Sequence, residues 1–292
     1  MELRHLRYFI AVAERLHFGQ AAEALGIAPP TLTVQIQEME RALQAQLFRR
    51  TRRSVALTPA GEAFLTEARE TVAQFERALN VGQRAGRGEL GRIHIGYVGS
   101  AAFSGILQKQ LRTFRKARPH VLVQVSEHPM SQLPTLLEEG RVDVAFVRMP
   151  MELPASLRAH VLVRDAFCAA LPAEHPLATA AGPIKARSLM GESFVVPEQE
   201  LGTREVARRG RFTPRIVSAP GGLIAVLTEV SVGVGVAIVP NVLTRVVNLP
   251  NVVFKTLAGE PVASEVAAVF RKYEHSPATK KLIAQITGAP DQ

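Results

Sequence analysis

The chain has 292 residues, too many for one small domain and enough for about two. Apolar residues make up 47% and charged residues 21%, an ordinary globular composition that needs no disulfides to bury a core. The single cysteine, Cys168, excludes an internal disulfide framework and a cysteine-rich zinc site, and the absence of tryptophan with 5% aromatics argues against stacking on single-stranded nucleic acid. The net charge of +9 comes from 35 basic side chains, 28 of them arginine, against 26 acidic ones, which favours an anionic partner.

The first ninety residues read as helices. Leu3, Leu6, Ile10 and Ala13 recur at helical spacing. A second helix is expected near Phe18 to Leu25, closed by Gly26, and a third begins near Pro30 with the apolar stripe Leu32, Ile36, Met39 and Leu43. Two short helices around a glycine turn fit a helix-turn-helix. Arg49, Arg50, Arg52 and Arg53 form the densest charge cluster, and the alternation at Val55 and Leu57 after it suggests a two-stranded wing with a basic tip. Thr58-Pro59 starts a long helix. Its residues Leu65, Ala68, Val72, Phe75, Leu79 and Gly82 make an a/d seam, which predicts a dimerising helix. Gly86, Gly88 and Gly91 then break the pattern and set a boundary.

Beyond Gly91, strands alternate with helices, the grammar of parallel sheets with crossovers. Strands are expected at Arg92–Val98, Val121–Val125, Val142–Val147, Phe167–Leu171, Phe194–Pro197, Arg215–Val217, Val236–Val239 and Val262–Phe270. Helices fall at Ser104–Arg118, around Leu133–Leu137, at Gly221–Val230, Pro240–Val247 and Pro277–Ile286. The apolar run from Gly221 to Pro240 is broken by Thr228, Glu229 and Ser231, and reads as a buried helix followed by a buried strand. Residues 1–20 lack a basic stretch followed by an apolar run, so a cytoplasmic protein without a membrane span is expected.

Enzyme signatures are missing: no HExxH, no GxSxG and no phosphate-binding GxxxxGK[ST]. The eight histidines form no i, i+3 or i+4 pair, so neither a metal nor another cofactor is expected. Cys168 sits in an apolar strand and reads as a buried thiol. On the third helix, Thr31, Thr33, Gln35 and Gln37 are candidates for base contact in the major groove. Arg49, Arg50, Arg52 and Arg53 are candidates for phosphate or minor-groove contact. In the second half, Ser100 follows one strand and Arg148 ends another, at the same carboxyl edge where open α/β sheets bind ligands. Together they are expected to hold a small anion, although a helix cap for Ser100 and an internal ion pair for Arg148 are equally open readings.

Met1-Glu-Leu-Arg-His-Leu-Arg-Tyr-Phe-Ile-Ala-Val-Ala-Glu, Ala21-Ala-Glu-Ala-Leu, Gln35-Ile-Gln-Glu-Met-Glu, Leu47-Phe-Arg-Arg and Leu57-Thr-Pro-Ala-Gly-Glu closely resemble LysR-type transcriptional regulators. Gly140-Arg-Val-Asp-Val-Ala-Phe and Gly233-Val-Gly-Val-Ala-Ile-Val-Pro resemble that family's effector domain. The resemblance implies an α/β protein with an all-α-rich N-terminal domain: a winged helix-turn-helix over 1–58, a dimerising linker helix and hinge over 59–90, and an effector-binding domain over 91–292. That domain is expected to be two-lobed and similar to periplasmic binding proteins, with lobe I at about 91–161 and 265–292 and lobe II at about 162–264. Such regulators form homodimers or homotetramers, read an inverted repeat of double-stranded DNA near a promoter, work with RNA polymerase, usually as activators, and answer to a small effector. A finer resemblance, at Ile95–Ser100 and Ala145–Arg148, is to the subgroup controlling breakdown of benzoate, catechol and chlorocatechol. It implies an aromatic or dicarboxylic acid as effector, held by Ser100, Ala101, Met130, Ser131, Arg148 and Pro197. Pro29, Val34 and Gln44 stand where the family often has glutamine, arginine and glycine. The first two leave open an alternative, a cytoplasmic small-molecule-binding protein with weakened DNA readout.

Overall fold

The computed structural model describes residues 1–51 and 54–289. Within it the chain divides into two compact units, Met1–Arg84 and Ala85–Gln292.

The N-terminal unit is built from α1 (Leu3–Arg15), α2 (Phe18–Ala24), α3 (Pro29–Leu43), the hairpin β1 (Phe48–Arg50) and β2 (Val55–Leu57), and α4 (Pro59–Gly86). Gly26 takes a positive φ of 68° in the turn between α2 and α3, where a β-carbon is unfavourable. Gln44 adopts the same left-handed region, φ 51°, to end α3, so the turn keeps its shape without the family's usual glycine. Phe9, Val12, Ala21, Ala22, Leu32 and Ile36 are fully buried and form the core of the unit. Phe9 also stacks against Phe48 and Phe64, with ring centres 5.3 and 5.1 Å apart, joining the helices to the wing and to α4.

One buried carboxylate fixes the wing. Glu40 on α3 is 4% exposed and accepts the backbone N–H groups of Leu47 (2.8 Å) and Phe48 (3.1 Å) and the guanidinium of Arg50 (3.2 Å). The α4 start is fixed just as locally. Thr58 Oγ1 accepts the Gly61 N–H at 2.9 Å and donates to the Gln46 carbonyl at 2.6 Å. The expected seam of α4 divides in two. Leu65, Ala68 and Val72 pack into the core of their own unit, while Phe75 and Leu79 are 43% and 49% exposed. The first half of the seam is thus packed within its own unit, and only the second half stands open.

In the second unit, lobe I holds β3 (Gly91–Tyr97), α5 (Gly99–Ala102), α6 (Ile106–Ala117), β4 (Val121–Glu127), α7 (Leu133–Glu138), β5 (Val144–Met149) and β6 (Leu157–Val163). The chain crosses into lobe II for β7 (Phe167–Pro172), α8 (Pro176–Thr179), β8 (Ser193–Pro197), α9 (Leu201–Gly210), β9 (Arg215–Gly221), α10 (Leu223–Ser231), β10 (Ala237–Pro240), α11 (Leu243–Val246) and β11 (Val252–Thr256). It then returns for β12 (Glu265–Arg271) and α12 (Pro277–Thr287). The lobe I sheet runs β4-β3-β5-β12-β6, and the lobe II strands pair as β10-β7-β11 and β8-β9. Both lobes are mixed rather than parallel. β12 is antiparallel to β5 and β6, and β7 is antiparallel to β10 and β11, because the crossing segments re-enter each sheet head to tail. The helix expected over 104–118 is α6, and the short α5 before it, separated by Gly105 at φ 72°, was not expected. The apolar run 221–240 becomes α10 and β10, with Val226, Leu227, Val230, Ile238 and Val239 fully buried. Among the described residues no helix is long and apolar enough to cross a membrane.

A β-carbon on Gly61 would overlap the Leu47 carbonyl, whereas one on Gly82 meets open space. Gly61→Ala should therefore destabilise the N-terminal unit by about 2 kcal/mol through overpacking. Gly82→Ala should stabilise the helix by up to about 1 kcal/mol. Urea unfolding followed by circular dichroism reads both signs.

Candidate functional site

Two regions of the structure carry chemistry. In the N-terminal unit, α3 turns Leu32, Ile36 and Met39 inward and leaves Pro30, Thr31, Val34, Gln37 and Glu38 exposed. At about 100° per residue, Val34 stands almost opposite the Leu32–Ile36 stripe, and Thr33 and Gln35 lie on the flanks. The flanking polar groups are engaged within the helix: the Thr33 hydroxyl donates to the Pro29 carbonyl (3.0 Å) and the Gln35 amide to Glu38 Oε2 (3.0 Å). Arg49 is exposed on the wing. Arg50 is turned inward: besides Glu40 it covers the Phe18 ring, 4.5 Å from its centre, and its side chain is 28% exposed. These contacts hold the wing to α2 and α3. Arg52 and Arg53 lie outside the described residues.

In the second unit a cavity of about 710 Å³ opens between the lobes. Its walls come from the segments that follow β3, β4, β8 and β9, the carboxyl edges of parallel strand pairs. Lobe I supplies Tyr97, Ser100, Phe103 and Glu127. Lobe II supplies Pro197, Glu198 and Gln199, and the start of α10 at Gly222–Ile224. Contacts cross the gap: Glu198 Oε1 accepts the Met130 N–H at 2.7 Å, and the Gln199 amide reaches Met130 Sδ and the Arg148 carbonyl.

Of the residues expected to hold an effector, Ser100 and Pro197 line the cavity. Ala101 is fully buried beneath it, and Met130 and Ser131 sit beside it rather than in its wall. Arg148 is not in the wall. It is 1% exposed, and its guanidinium is used inside the fold. Nη1 donates to the Ser264 carbonyl (3.1 Å) and hydroxyl (2.9 Å), Nη2 donates to the Ser100 carbonyl (2.9 Å), and Asp165 lies 3.6 Å away. Burial lowers its pKa to about 10 against the pull of Asp165, so it stays protonated at neutral pH. Arg148 does not join Ser100 in the cavity wall as expected: it is buried, its Nη groups bond within the fold, and its Nε has no partner among the described residues. Sequence reasoning missed Glu127, Glu198 and Gln199. The carboxyl-edge rule points to them, had it been applied after β4 and β8 as it was after β3 and β5. Burial pushes the Cys168 thiol up to about 12, in keeping with an inert thiol.

A winged helix-turn-helix on one unit and an interlobe ligand cleft on the other define a DNA-binding protein that responds to a small molecule. Residues 3–62 match the bacterial regulatory helix-turn-helix proteins of the lysR family, and residues 86–290 match the LysR substrate binding domain. The chain belongs to the LysR family, and is a DNA-binding transcriptional regulator rather than an enzyme. It is 36% identical to the uncharacterized HTH-type transcriptional regulator YnfL of Escherichia coli K12, over 99% of both chains. It is 34% identical to the regulator AlsR of Bacillus subtilis 168, over 97% of this chain and 94% of that one. The solved structure of CbnR, a LysR family transcriptional regulator, superposes with a TM-score of 0.79 at 25% identity, over 98% of this chain and all of that one.

Arg148→Met should lower the ligand-free stability of the second unit by about 3 kcal/mol, since it leaves the nearly buried Asp165 with the Val242 N–H but without its neutralising charge. Thermal and urea unfolding in the absence of any ligand check this. A residue serving only to bind effector would leave both unchanged.

Proposed function

We propose that the protein reads an inverted repeat of double-stranded DNA as a homodimer or homotetramer, and that a small effector in the interlobe cleft sets its activity. The observation that carries this reading is the cleft itself: a 710 Å³ cavity walled by both lobes and bridged by Glu198 and Met130. A ligand entering there competes with or reinforces contacts that cross the gap. It thereby favours one lobe arrangement to the extent of its differential affinity. The exposed second half of the α4 seam, Phe75 and Leu79, supports pairing with a second copy of the helix. We assign DNA contact to Thr31, Thr33, Gln35, Arg49, Arg52 and Arg53, with Arg50 supporting the wing. The domain limits follow the sequence reading, with 59–90 as linker. A cytoplasmic regulator acting with RNA polymerase at a promoter fits these parts.

The finer reading, an aromatic or dicarboxylic acid sensed as in the benzoate and catechol subgroup, rests on the segments ending in Ser100 and Arg148. The charge of the cleft favours a different effector. Glu127 and Glu198 face it from opposite lobes, the described lining contains no lysine or arginine, and Arg148 is buried outside that lining beside Ser264, Ser100 and Asp165. We therefore place a neutral or amine-bearing effector above a dicarboxylate, with Ser100 and Gln199 as hydrogen-bonding groups.

Selection of the full chain against random duplex DNA at about physiological salt tests the regulator reading. An enriched inverted repeat supports it, and purely salt-sensitive binding without enrichment supports the small-molecule-binding alternative. Matched pairs such as benzylamine and benzoate test the effector class. The amine should raise the melting temperature of the second unit and lose that effect in Glu127→Gln, while stabilisation by benzoate alone restores the acid reading.

A further inference from the structure

The outward face of α3 is centred on one apolar residue, Val34, set among the exposed polar residues Thr31, Gln37 and Glu38. Val34 is 47% exposed and stands opposite the buried stripe, so its methyl groups are presented away from the core of its own unit. Pro30 and Thr31 precede it on the same face. Of the polar candidates, Thr33 and Gln35 on the flanks bond Pro29 and Glu38 within the helix, while Thr31 and Gln37 are exposed on either side of Val34. The early part of a recognition helix is the part that reaches base edges.

We propose that Val34 reads sequence through the methyl group of thymine. The major-groove edge of a base pair offers one apolar group, the thymine C5 methyl. Every other group there is a donor or acceptor that a valine would desolvate without replacing its hydrogen bond. Valine in a helix also holds one side-chain rotamer, so its two methyl groups are fixed before contact. The helix crown therefore selects an A·T pair, oriented with thymine toward Val34, by matching methyl to methyl and by rejecting polar edges. This inference rests on the DNA-binding reading of the chain and adds to it the identity of one readout.

The test uses the duplex enriched by the full-length wild-type protein. Each thymine of one half-site is replaced in turn by deoxyuridine, which removes only the methyl. Competition binding is then measured for the wild type, Val34→Ala and Val34→Thr, with circular dichroism to verify the fold of each variant. The wild type should lose about fourfold in affinity at one thymine position, the worth of one buried methyl. Val34→Ala should bind thymine and uracil equally at that position and keep the wild-type response at all others. Val34→Thr, which retains one methyl, should fall between them. A wild type indifferent to uracil at every position, or a uracil penalty that survives in Val34→Ala, overturns the proposal while leaving the regulator reading intact. If selection enriches no sequence at all, the regulator reading and this readout fall together.

Discussion

The second unit turns on one buried guanidinium. Arg148 is the penultimate residue of β5 in lobe I, and its partners are the two segments by which the chain passes between lobes, at Asp165 and Ser264, together with the carbonyl of Ser100 at the edge of the cleft. Those segments are also joined to each other: Ser264 N–H donates to the Asp165 carbonyl at 2.8 Å, and Ala166 pairs with Ala263. Asp165 Oδ2 in turn accepts the Val242 N–H of lobe II at 3.1 Å. A buried charge is tolerated only when its partners are in place, so this geometry is held tightly. The cleft edge and the crossing between lobes thus share one electrostatic anchor.

The N-terminal unit repeats the device with the charge reversed. Glu40 is a carboxylate sunk into an apolar core, and its oxygens are spent on the two amides that begin the wing and on Arg50. The wing angle relative to α3 is set by that carboxylate together with the Phe9, Phe48 and Phe64 ring cluster. Arg50 and Arg148 were each marked by sequence for an anionic ligand. Each is also part of the scaffold that orients the neighbouring surface: α3 and the wing in one case, the segment at Ser100 in the other.

Much of the fold was legible because periodicity and turn chemistry are local. The helix-turn-helix follows from the α3 stripe and from Gly26, the start of α4 from Thr58-Pro59, and the α10–β10 pair from the polar interruption at 228–231 followed by Gly233 and Gly235. β6, β11 and α9 were not read. β6 and β11 lie at sheet edges with mixed burial, so their hydrophobic pattern is weak, and α9 is rich in arginine paired to Glu200 and Glu205 rather than striped with apolar residues. Strand direction was misread for a similar reason. Alternating strands and helices imply parallel neighbours, and only the long-range pairing of β12 with β5 and β6 reveals that the chain returns antiparallel.

By itself, the sequence determined the two-part organisation, the α3 face and the position of Ser100 at a strand's carboxyl edge, since each depends on residues close together in the chain. Only the tertiary structure decided what the charged side chains do. Arg148 and Ser264 are 116 residues apart, and their hydrogen bonds exist only once both crossings are built. Glu127 and Glu198 meet the same cavity from different lobes. Whether an arginine faces a ligand or the interior depends on which partner reaches it first, and that competition is settled by three-dimensional proximity and burial.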